Sequence, residues 1–197
     1  MFKFKSSDYM SSTLTFNNDS ILWTNPYDDK VYEVMMSWEQ PIMNKMAELA
    51  VSEGDDVLEL GFGMGILSNA IQARKPKSHT IVECHPEIII KLKEWASNKT
   101  NVIIVEGDWL EKAEDLNTYD AILQDTYADN NLHNFVSFAC SKANTGCKVT
   151  WWNYKNSDTN WIYLFDDYNL TLTDVDVDPP VNQYYNEKNY KIPLKIL

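Results

Sequence analysis

The stretch VLELGFGMGIL, Val57 to Leu67, decides how this chain is read. It is an apolar run carrying one acid, Glu59, that breaks into three alternating glycines, Gly61, Gly63 and Gly65. Glycines at a strand end let the backbone turn tightly and approach a ligand that a Cβ would exclude. A helix is expected over about 65–74, and its first turn offers unpaired N–H groups and a positive dipole end. A second apolar strand, HTIV at 79–82, ends in Glu83. An acid there is where nucleotide-binding α/β folds hydrogen-bond ribose hydroxyls. Glycine turn, helix and spaced acid together predict an adenosine-type cofactor.

The dinucleotide pattern G-x-G-x-x-G would need a small residue at Ile66, where helix packs close to strand. Ile66 is too large, and the glycines read E-x-G-x-G-x-G instead. That form resembles the S-adenosylmethionine (SAM) loop of the Rossmann-like methyltransferases. A phosphate-binding P-loop is excluded because no Gly-Lys-Ser/Thr follows.

A chain of 197 residues suits one α/β domain with a proper core. Hydrophobic content of 44% with 13% aromatics marks a globular protein. The net charge is −12 and no basic cluster interrupts it. A phosphate-tracking surface needs grouped Lys and Arg, so no nucleic-acid partner is expected. The acidity reads first as a solvated surface, although it would also steer a cationic substrate. Cys84, Cys140 and Cys147 are odd in number and suit reduced thiols better than a disulfide framework. None has metal-ligand spacing with His79, His85 or His133, so no metal is expected. The N-terminal MFKFK lacks a signal peptide's apolar core, and no run approaches transmembrane length. A cytoplasmic protein, monomeric or weakly dimeric and without membrane attachment, is the expectation.

Residues 1–30 are polar with scattered aromatics and read as an irregular arm or lid; residues 31–197 read as a single methyltransferase domain. A helical segment broken once is expected at 31–38 and 41–50, with Pro41 in the first turn of its second half. Strands are expected at 56–60, 79–83, 101–105, 119–124 and 147–153, and helices at 65–74, 86–96 and 131–143. Alternating βα units mean a mostly parallel sheet with right-handed crossovers and helices on both faces. Segments 168–177 and 189–196 read as two successive strands, an antiparallel ending. The whole is an α/β, Rossmann-like, seven-stranded sheet with an antiparallel C-terminal strand. Ligands in such sheets bind at strand carboxyl ends, where Glu83, the 106–109 segment, Asp125 and Asn153 all fall.

Two acids sharpen the reading. Asp125 follows the fourth strand of this series and opens Asp-Thr-Tyr, and Glu39 sits two residues before Pro41. Paired carboxylates suit a planar guanidinium, whose donors fit them bidentately. The segments VMMSWEQPIM (34–43), LELGFGMGI (58–66), IVECHPEIIIKLKEWA (81–96), EGDWLE (106–111), YDAILQDTY (119–127), HNF (133–135), TWWN (150–153) and DPPVNQYY (178–185) resemble the guanidinoacetate N-methyltransferase family. That family includes relatives of the fungal protein arginine methyltransferase type. The resemblance implies that Gly61, Gly63, Gly65 and the helix start at Ile66 wrap the methionine part of SAM. It further implies that Glu83 holds the ribose, that Gly107, Asp108 and Trp109 frame the adenine, that Met35 and Met43 close over the cofactor, and that Asp125 binds beside the cofactor's methyl group. Glu39 and Asp125 would grip a guanidino group, Tyr127 would line the pocket, and the backbone at Tyr154 and Lys155 would receive remaining N–H groups. Asp125 would accept the proton as the N–C bond forms, leaving S-adenosylhomocysteine as product. The arm and the segment after Asn153 depart from the family pattern.

The expected partner is therefore a small-molecule guanidino or amine substrate, most like guanidinoacetate. Protein arginine methylation ranks second, because the chain is short and carries no added recognition domain. Methylation of another small amine and a SAM-binding module without transfer activity are the remaining alternatives.

Overall fold

A computed structural model describes residues 6–129, 131–153 and 170–197. The chain opens with α1 (Ser6–Met10), β1 (Leu14–Phe16), β2 (Ser20–Thr24) and β3 (Val31–Met36). These three strands pair antiparallel in a small sheet of order β1-β2-β3. The helix expected at 31–38 is corrected here. Val31, Tyr32 and Val34 favour an extended backbone, and β2 supplies the partner, with Trp23 opposite Tyr32 and Thr24 opposite Val31. A short segment that is apolar at most positions fits both periods, and only the distant partner decides between them. The arm expected to be irregular supplies β1 and β2 of this sheet, so β2–β3 pairing runs across the division between residues 30 and 31.

One turn of 3-10 helix, Ser37–Glu39, then leads into α2 (Gln40–Ala50), with Pro41 in its first turn. Proline there sacrifices an N–H that would lack an intrahelical partner anyway. Alternation follows through β4 (Asp56–Leu60), α3 (Ile66–Ala73), β5 (Ser78–Glu83), α4 (Pro86–Ala96) and β6 (Val102–Glu106). The chain continues through β7 (Tyr119–Gln124), α5 (Phe135–Lys142), β8 (Ala143–Trp151), β9 (Leu170–Asp176) and β10 (Asn189–Ile196). The large sheet has seven strands in the order β6-β5-β4-β7-β8-β10-β9. β4 pairs parallel with β5 and β7, and the flanking pairs β5–β6 and β7–β8 are parallel too. β10 runs antiparallel to both its neighbours, β8 and β9.

Two apolar layers cover the sheet, and strand alternation assigns residues to them. Ala121 and Leu123 point towards α2 and α3, where Ile42, Met43, Met46, Leu67 and Ile71 are buried. Ile122 between them points the other way, joining Leu58, Leu60, Phe135, Phe138 and Trp151. Strand order reverses beside β4, because its two neighbours are reached by crossovers on opposite sides. The crevice at that reversal is where an open α/β sheet binds ligands. Among the described residues no helix is long and apolar enough to cross a membrane.

Candidate active site

The site begins where β4 ends. Gly61 has φ of +89°, and a Cβ there would run into the carbonyl oxygen of Asp125. Its N–H donates to Val82 O at 2.9 Å, and Asp125 N–H donates to Leu60 O at 2.9 Å, so the tails of β5, β4 and β7 are pinned together. At Gly63, φ is +52° and a Cβ would strike the Met35 sulfur. That sulfur accepts Met64 N–H at 3.1 Å, so β3 closes over the glycine turn. Beneath the turn, buried Glu59 accepts the Ser68 hydroxyl at 2.7 Å and lies 2.8 Å from His79 Nε2.

Glu83 ends β5 with its carboxylate turned back onto backbone. Oε1 accepts the N–H groups of Cys84 and His85, both at 2.8 Å, and Oε2 accepts Phe62 N–H at 2.9 Å. A carboxylate has about four acceptor positions, so these three leave room for a further donor. Past β6, Asp108 accepts Leu110 N–H at 2.9 Å and the Asn131 side-chain amide at 3.0 Å. The Trp109 indole N–H donates to Asp129 at 2.8 Å, and the same Asp129 oxygen accepts the Thr126 hydroxyl at 2.7 Å. Gln124 in turn donates to Thr126. Sequence reasoning missed this chain of polar residues; the only available sign was the polar run DTYAD at a strand's carboxyl end.

A cavity of about 390 Å³ opens above these groups. Its wall contains Met35, Glu39, Gly61, Gly63, Glu83, Gly107, Asp108, Trp109, Asp125 and Tyr127, so most of the expected residues come together. Three do not reach it. Met43 is fully buried in the core between α2 and the sheet. Gly65 caps α3 in a left-handed conformation against Phe62, and Ile66 packs onto the core. Tyr154 and Lys155 lie outside the described residues.

The two acids expected to act on the acceptor share this cavity. Glu39 is buried, and its Oε1 accepts Met36 N–H at 2.7 Å and the Tyr184 hydroxyl at 2.6 Å. Burial raises its carboxyl well above the ordinary range, and the neighbouring charge of Asp125 raises it further. Burial also raises Asp125, with Glu59 and Glu83 adding to the effect. Burial and neighbouring carboxylates thus disfavour charge on both groups, and a cation placed beside them would relieve that. Trp152 and Tyr184 complete this side of the wall. Trp38 backs them, its ring 5.8 Å from that of Tyr184. The opposite side is closed by Tyr127, whose ring meets Tyr9 of α1 at 5.1 Å. Among the described residues no group of three or more His, Cys, Asp or Glu could hold a metal ion.

The family model for guanidinoacetate N-methyltransferase matches residues 29–189. The chain belongs to that family. Two proteins named protein arginine N-methyltransferase 2 are similar to it. The one from Aspergillus fumigatus is 40% identical over 131 residues, covering 63% of this chain and 30% of the relative. The one from Saccharomyces cerevisiae is 34% identical over 134 residues, covering 61% and 31%. The chain thus spans under a third of the length of these relatives. Its fold is similar to that of Aeropyrum pernix fibrillarin crystallised with natively bound S-adenosyl-L-methionine: TM-score 0.59 at 14% identity, covering 93% of this chain and 97% of that one.

The chain is therefore a member of the guanidinoacetate N-methyltransferase family built on the class I fold of SAM-dependent methyltransferases. SAM fits the site on the structure's own terms: Glu83, on the wall of the cavity beside the glycine turn, keeps an acceptor position free. One expectation is corrected. The similarity to protein arginine methyltransferases overturns a small-molecule acceptor as the partner. Chain length is no guide to the acceptor's size, because the matched segment is a fraction of each relative.

Proposed function

We propose that this chain methylates a guanidino nitrogen of arginine side chains in a protein, within the cytoplasm. The observation that carries the reading is the shared cavity of Glu39 and Asp125, both raised by burial, beside the glycine turn. The names of the relatives support the protein acceptor, and the three free cysteines support a reducing compartment.

Gly61, Gly63, Met35, Glu83, Gly107, Asp108 and Trp109 would hold SAM. When bound, it supplies an electrophilic methyl carbon on a sulfonium. The chain's own residues do the rest. An arginine guanidinium enters protonated, with its lone pairs delocalised. Asp125 and Glu39 take its N–H donors from two edges, fixing the plane and localising density on one nitrogen. Asp125 accepts the proton that this nitrogen loses, and its raised titration makes it a better base than an ordinary carboxylate. Trp152, Tyr184 and Tyr127 line the cavity and would exclude water from the cation.

The test is incubation of purified protein with labelled SAM, arginine-containing peptides, a protein extract and guanidinoacetate. Label on peptide arginine, mapped by mass spectrometry, is the expected result. Label confined to guanidinoacetate, or to lysine, would overturn it.

A further inference from the structure

We propose that Tyr184 is a positioning residue for the transfer: its hydroxyl holds Glu39 by one oxygen so that the other faces the acceptor as an anion. The inference rests on the guanidino-acceptor reading and deepens it.

Tyr184 lies 145 positions from Glu39 in sequence, yet its hydroxyl donates to Glu39 Oε1 at 2.6 Å. Met36 N–H donates to the same oxygen at 2.7 Å. Both donors therefore converge on Oε1, and among the described residues none reaches Oε2. One carboxylate is thus split into a tethered oxygen and an offered one. Tyr184 is itself held. Asn182 Oδ1 accepts the N–H groups of Tyr184 and Tyr185 at 2.9 and 2.7 Å, while its amide donates to Pro180 O and Tyr185 O. Trp38 and Trp152 pack on the Tyr184 ring at 5.8 and 6.2 Å. A side chain fixed this firmly imposes a rotamer on its partner.

The titratable groups around Glu39 are Asp125 beyond β7, Tyr184 in the 177–188 loop and Tyr190 on β10. Burial and the charge of Asp125 both favour the neutral carboxyl, whereas the Tyr184 hydroxyl and Met36 N–H favour the carboxylate. A neutral Glu39 is a poor counter-ion for a guanidinium. Tyr184 thus acts on which protonation state Glu39 presents, as well as on its direction.

The test reads cation binding rather than turnover. Methylguanidinium is titrated by calorimetry into the S-adenosylhomocysteine complex across a pH series, for the wild type, Tyr184→Phe, Glu39→Gln and the double variant. Tyr184→Phe keeps the ring and its aromatic contacts. It should move the acid limb of affinity upwards by about one pH unit, the worth of one charge-assisted hydrogen bond. Affinity should fall about tenfold on the acid side, and the loss left at high pH, where Glu39 is ionised in both proteins and only its orientation differs, should be smaller. In the Glu39→Gln background the same change should shift nothing. An unmoved limb, or equal weakening at every pH, would overturn the role of Tyr184 while leaving the acceptor reading intact. A wild type that binds no methylguanidinium at any pH would sink the acceptor reading, and the role of Tyr184 with it.

Discussion

Glu83 and Asp125 stand on the two sides of one cavity and are satisfied in opposite ways. Glu83 accepts three backbone N–H groups, all from residues within the glycine turn and the β5–α4 connection. Among the described residues no donor reaches the Asp125 carboxylate, and Glu39 has donors on one oxygen only. The proposed cofactor side is therefore finished by its own backbone, and an incoming ligand would add to an arrangement already made. The proposed acceptor side is left incomplete, its carboxyls raised by burial and by neighbouring carboxylates. One side stores binding geometry; the other stores electrostatic demand.

The largest break in this contrast is Asp125→Asn, which keeps shape but removes the proton acceptor. Turnover on an arginine peptide should drop at least about a hundredfold, the usual worth of general-base catalysis. Affinity for S-adenosylhomocysteine should stay near wild type. Single-turnover kinetics and calorimetry together check this, and matched losses in both would mean that the two sides are not separable.

The mirror experiment is Glu83→Ala. Removing a hydrogen-bonding carboxylate should weaken S-adenosylhomocysteine by about 1–3 kcal/mol, while turnover at saturating SAM changes far less. A collapse in turnover at saturation would show that Glu83 shapes the acceptor side as well.

The same contrast explains what was legible beforehand. Strand, glycine turn, helix and Glu83 lie in one continuous stretch, so local period and spacing carried the cofactor side and the order of the βα units. The acceptor side draws on residues 39, 125, 152 and 184, and no local pattern links them. That Glu39 and Asp125 share one cavity was legible through family resemblance; the pairing of Tyr184 with Glu39 was not. β3 was misread for a related reason. VYEVMM fits helix or strand until β2 is folded beside it, and pairing is not written in either segment alone.

Incomplete pairing on the acceptor side also has a cost in stability, with a definite sign. The folded titrations of Glu39 and Asp125 lie above those of the unfolded chain, so the folded state holds these protons more tightly. Unliganded protein should gain stability as pH falls through the raised titrations, and the gain should end near the ordinary carboxyl range of about 4. Asp56 works in the opposite sense at lower pH, because Lys77 and Ser78 hold its carboxyl below its ordinary value. Asp125→Asn isolates the effect: at alkaline pH it should stabilise the protein by at least about 1 kcal/mol in denaturant titrations. A destabilised variant there would mean that the Asp125 charge is satisfied in the unliganded protein.

The smallest expected effect separates two methionines that the sequence treats alike. Met35 puts its sulfur against Gly63 and accepts Met64 N–H, so it touches the cofactor side directly. Met43, one helical turn into α2, is enclosed by core side chains and has no face on the cavity. A volume-conserving Met43→Leu should cost less than about 1.5 kcal/mol of stability and leave S-adenosylhomocysteine affinity unchanged. Met35→Leu removes the acceptor for Met64 N–H and loosens the turn, so affinity should fall by roughly 1 kcal/mol, the typical worth of one hydrogen bond. Equal affinity losses from the two substitutions would place Met43 back on the cofactor and would mean that α2 moves towards the glycine turn when ligand binds.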